Sequence, residues 1–188
     1  MNGSTTKDDS VSRRSLVLVG LMGAGKSKVG RLLAERLGLP FVDADAEIEE
    51  AAGCSVADYF ARFGEAAFRA GERKVMARLL AGPPQVIAAG GGAFMDEGTR
   101  DEIRAHGTSI WLKASLETLV ARTKGRNHRP LLNQGDPAEI LARLMEARYP
   151  VYAQADVTVE SGNNPPEATC EAVLTALGIS IHPKGRAA

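Results

Sequence analysis

The stretch best suited to chemistry is a glycine-rich segment, residues 20–27, which reads GLMGAGKS and matches the pattern GxxxxGK[ST]. Glycines let successive backbone N–H groups converge on phosphate oxygens, and a helix that starts there adds its partial positive charge. In this pattern Lys26 bridges the phosphates and Ser27 binds Mg²⁺. A chance match in a glycine-rich turn is the alternative, and the position between a strand-like run and a helical pattern disfavours it. The segment predicts nucleotide binding without identifying the reaction.

Two carboxylates, Asp43 and Asp45, stand at the end of the second strand-like run of the chain. Open parallel sheets bind ligands at the carboxyl ends of their strands, so both side chains are candidates for phosphoryl-transfer chemistry. Asp43 is suited to hold water ligands of Mg²⁺, and Asp45 to accept the proton of an attacking hydroxyl. The alternative for Asp45 is a helix N-cap. No acidic residue ends the third strand-like run, where a Walker B carboxylate would stand, which leaves the metal to Ser27 and Asp43.

Two arginines stand in helical segments where they could bind an anion. Glu65, Arg69 and Glu72 fall on one helical face, and i,i+4 pairing between Glu65 and Arg69 is the simpler explanation. Arg148 stands near the end of another helical segment, where an interaction with the helix dipole would also account for it. From the residues alone, a binding role and a purely structural role both stay open.

Two loops could also contact a ligand, one through its backbone N–H groups and the other through its positive charge. Residues 90–92 are three successive glycines at a strand end, where bare backbone can approach a ligand and offer N–H donors. Residues 122–130 read RTKGRNHRP and are strongly cationic. Closing this loop over ATP would bring Arg126 and Arg129 to the transferring phosphoryl group, and an exposed basic loop is the alternative. We therefore predict a lid over residues 124–136.

These side chains must be positioned by short apolar runs that alternate with helical segments. The run at residues 16–19 is continuously apolar, as expected for a strand covered on both faces. Further strand-like runs occupy residues 41–43, 85–89, 108–112 and 157–159. A helical region at residues 48–63 is predicted to break at Gly53, and a further helix is predicted at residues 66–80. Other helices are predicted to start after Ser115 and at Pro137. The pattern predicts an α/β fold, a three-layer doubly wound sheet of five parallel strands.

Length and composition indicate one ordinary globular domain. The 188 residues suffice for a single core, and we predict a disordered tail at residues 1–14, one domain at 15–178 and a C-terminal tail at 179–188. Lys plus Arg and Asp plus Glu number 23 each, which argues against nucleic acid as a partner. No apolar run is long enough for a membrane span, and the first residues lack a signal-peptide core. We expect a cytoplasmic monomer that does not bind membranes.

Several motifs together resemble the shikimate kinase family in order and approximate spacing across residues 16–159. They are residues 20–27, Asp43-x-Asp45, Phe68-Arg69, residues 90–92, Arg129-Pro-Leu-Leu and Arg148. The resemblance implies a P-loop kinase with a fold like that of nucleoside-monophosphate kinases. It also implies ATP-dependent phosphorylation of the shikimate 3-hydroxyl, which gives shikimate 3-phosphate and ADP in aromatic amino-acid biosynthesis.

The same resemblance implies roles for the matching residues. In the family, the residues that wrap ATP correspond to Gly23, Ala24, Gly25, Lys26, Ser27 and Lys28. Asp45 corresponds to the residue that orients and deprotonates the substrate hydroxyl. Arg69 and Arg148 correspond to the arginines that grip the carboxylate, and Gly91 to a backbone contact with a ring hydroxyl. Arg129 corresponds to a lid arginine that reaches ATP, and Arg122 to the residue against the adenine. Residues 45–81 become the substrate-binding segment.

Two departures from the family and two rival functions accompany this resemblance. Lys28 stands where many members have Thr, and residues 161–165 lack the basic residue often found near the adenine. A gluconate-type kinase shares the phosphate loop and the sheet but has no evident need for two arginines aimed at one carboxylate. A nucleotide-binding regulatory module without turnover is the second rival. Intact Lys26, Asp45 and Arg69 argue against it.

Overall fold

Five parallel strands form the centre of the computed structural model, which describes residues 14–124 and 135–179. Along the chain they are β1 (Ser15–Val19), β2 (Phe41–Asp43), β3 (Val86–Ala88), β4 (Gly107–Lys113) and β5 (Val157–Glu160). Their order in the sheet is β2-β3-β1-β4-β5. The predicted five-stranded parallel sheet is confirmed, and every predicted strand end lies within one residue of the observed end.

Seven helices and one short 3₁₀ turn connect and follow these strands in the part of the chain that the structure describes. The helices are α1 (Lys26–Leu37), α2 (Ala44–Ala52), α3 (Val56–Leu80), α4 (Glu97–His106), α5 (Leu116–Thr123), α6 (Pro137–Tyr152) and α7 (Pro166–Leu177), and the 3₁₀ turn is Ala93–Met95. The predicted starts of two helices are confirmed. Ser115 caps α5 by accepting the N–H of Thr118, and α6 begins at Pro137. Helices cover both faces of the sheet, with α1 packed on α7 and α3 packed on α4.

Strand β1 lies at the centre of the core, between β3 and β4. Its residues 15–19 are all buried, in agreement with the continuous apolar run. From β1 the chain moves to one side of the sheet for β2 and β3 and to the other side for β4 and β5. Ligands of open α/β sheets bind where the strand order reverses in this way. The segment that follows β1 is therefore at the position where a ligand is expected.

Helix α3 contains two helical segments that the sequence predicts, one with residues 56–63 and a further one at residues 66–80. It begins at Val56, with Ser55 as its cap. Gly64 interrupts this helix with φ 78° and ψ 173°, a conformation that glycine adopts without the steric penalty of a Cβ. The break thus comes just before the half of α3 that carries Arg69.

Several predictions concern residues outside the described part of the chain. These are residues 1–13 of the predicted N-terminal tail, residues 125–134 of the predicted lid, and residues 180–188 of the predicted C-terminal tail. The domain boundaries stay a prediction. Within residues 14–124 and 135–179, none of the helices combines the length and the hydropathy needed to cross a bilayer.

Candidate active site

The predicted phosphate loop leaves β1 at Gly20 and enters α1 at Lys26. Gly20 has a φ of 141°, and a Cβ there would lie 2.8 Å from the carbonyl oxygen of Leu112. Only glycine therefore fits at the start of the loop. The Nζ of Lys26 donates to the carbonyl oxygens of Gly20 at 2.8 Å and Leu21 at 3.2 Å, which holds the ammonium group close to the loop.

A hydroxyl and a carboxylate join the phosphate loop to the end of β2. The Oγ of Ser27 donates to Oδ2 of Asp43 at 2.8 Å. Oxygen ligands of this kind suit Mg²⁺, which keeps several waters and takes few protein ligands when it binds with phosphates. Among the described residues, no group of three His, Cys, Asp or Glu side chains is arranged to hold a metal ion by itself. The pair fits a Mg²⁺ ion that is shared with a nucleotide.

The N-cap alternative for Asp45 is wrong, because Asp43 is the N-cap of α2. Oδ1 of Asp43 accepts the backbone N–H of Asp45 at 3.2 Å. Asp45 lies in the first helical turn, and its side chain reaches the glycine segment: a Cβ on Gly90 would be 2.6 Å from its Oδ1. Two predicted site elements, the β2 carboxylates and the glycine segment, are thus adjacent in space.

The guanidinium of Arg69 lies against the third glycine of residues 90–92. A Cβ on Gly92 would be 2.6 Å from Cζ of Arg69, so any other residue there would displace the arginine. Nη1 of Arg69 donates to Oε2 of Glu72 at 2.6 Å, and Nη2 donates to Oε1 of Glu65 at 3.4 Å. The predicted pairing with Glu65 is present, but the shorter contact is the one with Glu72.

Glu72 is a site residue to which sequence reasoning gave no role. Its side chain is almost completely buried, and Oε1 would lie 2.7 Å from a Cβ on Gly90. Burial raises the pKa of Glu72, the hydrogen bond and charge of Arg69 oppose the increase, and the negative charge of Asp45 adds to it. Its position one helical turn beyond the buried Phe68 was the signal that it points inward. Glu72 therefore fixes the position of the Arg69 guanidinium at the cavity.

Arg148 approaches the same glycine segment from α6. Its Nη1 donates to the carbonyl oxygen of Gly91 at 2.8 Å, so its side chain is directed at the segment and an interaction with the helix dipole does not by itself account for it. One turn later, the hydroxyl of Tyr152 donates to the same carbonyl oxygen. Arg69 and Arg148, which are 79 positions apart in the sequence, therefore meet at adjacent glycines.

A cavity of about 270 Å³ opens beside these groups. It is lined by Glu65, Arg69, Glu72, Arg73, Gly92, Met95, Asp96 and Arg148. At its rim, Nη1 of Arg73 donates to Oδ2 of Asp96 at 3.2 Å. Arginine forks are suited to carboxylates, so a small cavity with three arginines can hold a small anionic metabolite.

Arg122 ties the phosphate loop to the segment that follows β5. Its Nη1 donates to the carbonyl oxygen of Gly23 at 3.3 Å and to Oγ of Ser161 at 3.1 Å, and its Nη2 donates to the carbonyl oxygen of Gly162. The buried Oγ of Ser161 donates in turn to the carbonyl oxygen of Ala24 at 2.7 Å. These bonds bring the predicted nucleotide residues together on the side of the loop away from the cavity.

Of two further predicted site residues, the structure describes one. Lys28 is exposed in the first turn of α1. Arg129, like Arg126, lies outside the described residues, and its predicted contact with ATP stays a prediction.

The family of the chain follows from its sequence relatives. A sequence model of shikimate kinases matches residues 22–178. The chain belongs to the shikimate kinase family. The shikimate kinase of Paramagnetospirillum magneticum is 68% identical over 164 residues, which cover 87% of this chain and 84% of that protein. The shikimate kinase of Caulobacter vibrioides is 55% identical, with coverage of 87% and 82%. The predicted family and enzyme class are confirmed.

Solved structures of shikimate kinases have the same fold. The Acinetobacter baumannii shikimate kinase in complex with shikimate superposes with a TM-score of 0.85 and 33% identity, covering 90% of this chain and 96% of that one. The shikimate kinase of Bacteroides thetaiotaomicron gives a TM-score of 0.82 at 27% identity, with coverage of 88% and 99%. These neighbours agree with the P-loop kinase fold predicted for the chain.

A gluconokinase from Sinorhizobium meliloti shares the fold more distantly. Its TM-score is 0.59 at 23% identity, with coverage of 89% of this chain and 93% of that one. The rival function considered from the sequence therefore uses the same architecture. The sheet alone does not separate the two, and the assignment of this chain to the shikimate kinase family rests on its sequence relatives.

Proposed function

We propose that this chain transfers the γ-phosphoryl group of ATP to the 3-hydroxyl of shikimate, giving shikimate 3-phosphate and ADP. One observation carries the proposal: Asp45 lies beside Gly90, and Arg69 and Arg148 meet at the next two glycines. A proton acceptor and a carboxylate-binding pair are thus assembled at the same sheet edge as the phosphate loop. Shikimate offers the matching groups, a ring hydroxyl and a ring carboxylate.

On the substrate side, the carboxylate of shikimate is bound by Arg69 and Arg148. Glu72 holds Arg69 through the 2.6 Å bond to its Nη1, which leaves the other edge of the guanidinium facing Glu65 and the cavity. The contact of Arg69 with Glu65 is longer, 3.4 Å, and Glu65 is 70% exposed, so a substrate carboxylate can replace it. Gly91 contributes its backbone to a ring hydroxyl. Residues 45–81 form the substrate-binding segment.

In the reaction, Asp45 accepts the proton of the 3-hydroxyl, whose oxygen bonds to the γ-phosphorus as the bond to the leaving oxygen of ADP breaks. Lys26 and the backbone N–H groups of the loop hold the phosphates and stabilise the charge that develops. Ser27 and Asp43 would hold Mg²⁺, which neutralises phosphate charge when bound. Arg129, in the lid at residues 124–136, adds a further positive charge.

For the nucleotide, residues 23–28 surround the phosphates and Arg122 lies toward the adenine. The hydrogen bonds of Arg122 to the phosphate loop and to the segment after β5 support this, because they hold its side chain on the nucleotide side of the loop. The segment after β5 carries no basic residue at 161–165, and we assign the contact with the adenine to Arg122. A monomeric state and a cytoplasmic location stay predictions.

The test is a coupled assay of ADP release with Mg²⁺ and ATP. Shikimate, gluconate and nucleoside monophosphates are supplied side by side at equal concentrations. Among the three acceptors, we expect only shikimate to cause ADP release. Phosphorus NMR of that product should show the resonance of a new phosphate monoester. Release with gluconate and not with shikimate would overturn the proposal, and ATP binding without release in any arm would favour the regulatory module.

A further inference from the structure

Two tyrosines at the end of α6 have hydroxyl groups that donate to backbone carbonyls in different parts of the molecule. The hydroxyl of Tyr152 donates to the carbonyl oxygen of Gly91, inside the proposed substrate site. The hydroxyl of Tyr149 donates to the carbonyl oxygen of Ala114 at 2.5 Å, after β4 and outside that site. The two residues are thus chemically alike, but their hydroxyl groups bind carbonyl oxygens inside and outside the proposed substrate site.

Tyr152 is held rigidly by its surroundings. Its side chain is completely buried, and its ring packs near Phe94 and Trp111, with centroids 6.4 and 6.0 Å away. Burial raises the pKa of Tyr152 to about 12, against the positive charge of Arg148, which acts in the opposite direction. The hydroxyl therefore stays protonated, and stays a donor, throughout the neutral pH range.

The hydroxyl also connects two parts of the substrate site. Arg148 donates through Nη1 to the same carbonyl oxygen of Gly91, at 2.8 Å. The Tyr152 hydroxyl and the Arg148 guanidinium therefore share one acceptor, and each limits where the other can lie. Without the hydroxyl, the carbonyl oxygen of Gly91 would keep only its bond to Arg148.

The orientation of the Gly91 carbonyl affects whether residues 90–92 present carbonyl oxygens or N–H groups to a ligand. The carbonyl oxygen of Gly90 accepts the N–H of Ala93 at 3.1 Å, and that of Gly92 accepts the N–H of Met95 at 3.0 Å. With Gly91 bonded to Arg148 and Tyr152, all three carbonyls are turned toward the protein. The segment is left to present its N–H groups, which suit the oxygen atoms of a hydroxylated, anionic substrate.

We propose that Tyr152 is a positioning residue for substrate binding: its buried hydroxyl orients both the Gly91 peptide group and the guanidinium of Arg148. It does not touch the substrate. The inference rests on the proposed function, because Arg148 and Gly91 matter to affinity only if the substrate binds there. It adds a residue outside the cavity to those that determine the affinity.

The experiment compares Tyr152→Phe with Tyr149→Phe as a matched control. Each variant removes one hydroxyl and keeps the ring, so the packing that folds the protein is preserved. The KM for shikimate, the KM for ATP and kcat are measured by ADP release. Trp111, the only tryptophan of the chain, packs within about 6 Å of both rings and allows the Kd of shikimate to be measured by fluorescence without ATP.

We expect Tyr152→Phe to raise the Kd and the KM for shikimate about five- to tenfold, with the KM for ATP unchanged, because one oriented hydrogen bond is lost. Tyr149→Phe should leave the values for shikimate within about twofold of the wild type, although it loses a similar bond. A double-mutant cycle with Arg148→Lys should be non-additive, because the two residues share one hydrogen-bonded set.

The inference is overturned if both tyrosine variants change the values for shikimate equally, if the KM for ATP rises in parallel, or if the cycle is additive. Failure of the proposed function has a separate signature, since the wild-type enzyme itself would then show no ADP release with shikimate. Wild-type turnover with unchanged Tyr152→Phe constants would leave the function standing and remove only the role of Tyr152.

Discussion

At the scale of single residues, we propose different tasks for the two carboxylates at the end of β2, because the backbone gives them different neighbours. Both oxygens of Asp43 are engaged, Oδ2 with Ser27 and Oδ1 with the N–H of Asp45. Asp45 lies exposed in the first turn of α2, beside Gly90 and near the glycines where Arg69 and Arg148 meet. Asp43 caps the helix and contacts the phosphate loop, so we do not expect the two residues to exchange their proposed roles.

Replacing Asp45 by Asn should therefore separate chemistry from nucleotide binding. The amide keeps the size of the side chain but cannot accept the proton of the attacking hydroxyl. We expect Asp45→Asn to lower kcat by about 10²- to 10⁴-fold, the usual contribution of a general base. The Kd for ATP, measured by calorimetry, should stay unchanged, because the phosphate loop and Asp43 are intact.

Asp101→Asn is the matched control for this variant. Asp101 is exposed in α4, where it forms a 2.7 Å ion pair with Arg104, and it does not line the cavity. Its kcat should equal that of the wild type. Near-normal turnover of Asp45→Asn would remove Asp45 as the base, and an equal loss in both variants would show an effect on folding.

At the scale of elements, the sequence predicted well what local pattern determines and poorly what tertiary packing determines. The continuous apolar run of β1, the phosphate loop and the starts of α5 and α6 followed from composition and spacing. The roles of Glu72 and Gly92 did not, because each depends on where Arg69 packs after the chain has folded. The capping role of Asp43 was also missed, since α2 begins two residues earlier than its pattern indicated.

Two glycines inside helices show how packing decides whether a Gly→Ala substitution stabilises or destabilises the protein. Gly30 in α1 is crowded: a Cβ there would lie 2.6 Å from Cε2 of Phe41 and 3.0 Å from Cδ1 of Leu18. Gly71 in α3 has room, with the hydroxyl of Tyr59 at 3.6 Å. We expect Gly30→Ala to destabilise the protein by about 1–3 kcal/mol through overpacking. Gly71→Ala should stabilise it by up to about 1 kcal/mol, the difference in helix propensity.

Urea denaturation followed by circular dichroism measures both effects in the same experiment. The two substitutions are each other's control, because each adds one methyl group to a helix interior. Equal shifts of the midpoint in the same direction would show that tertiary contacts do not decide the outcome. A loss of stability in Gly71→Ala alone would indicate a requirement in α3 that the contact with Tyr59 does not account for.

At the scale of the whole molecule, the side-chain charges can attract an anionic substrate only over short distances. The 23 basic and 23 acidic side chains cancel, so the net charge cannot attract an anionic substrate from a distance. A field that attracts such a substrate must come from charges close to the site. There, Arg69 is tied to the buried Glu72, whereas Arg73 stands at the rim with half of its side chain exposed. Arg73 is the cation of the cavity best placed to meet an arriving carboxylate.

Arg73→Gln should therefore slow substrate capture in a manner that depends on salt. We expect kcat/KM for shikimate to fall about two- to fivefold at low ionic strength and the difference to vanish near about 0.5 M salt, where exposed charges are screened. The kcat and the KM for ATP should not change. Arg78→Gln is the control, since Arg78 is an exposed arginine of the same helix, paired with Glu47 at 2.6 Å, and does not line the cavity. A loss of equal size in both variants, or one that persists at high salt, would mean that Arg73 acts through the stability of α3 and not through its field.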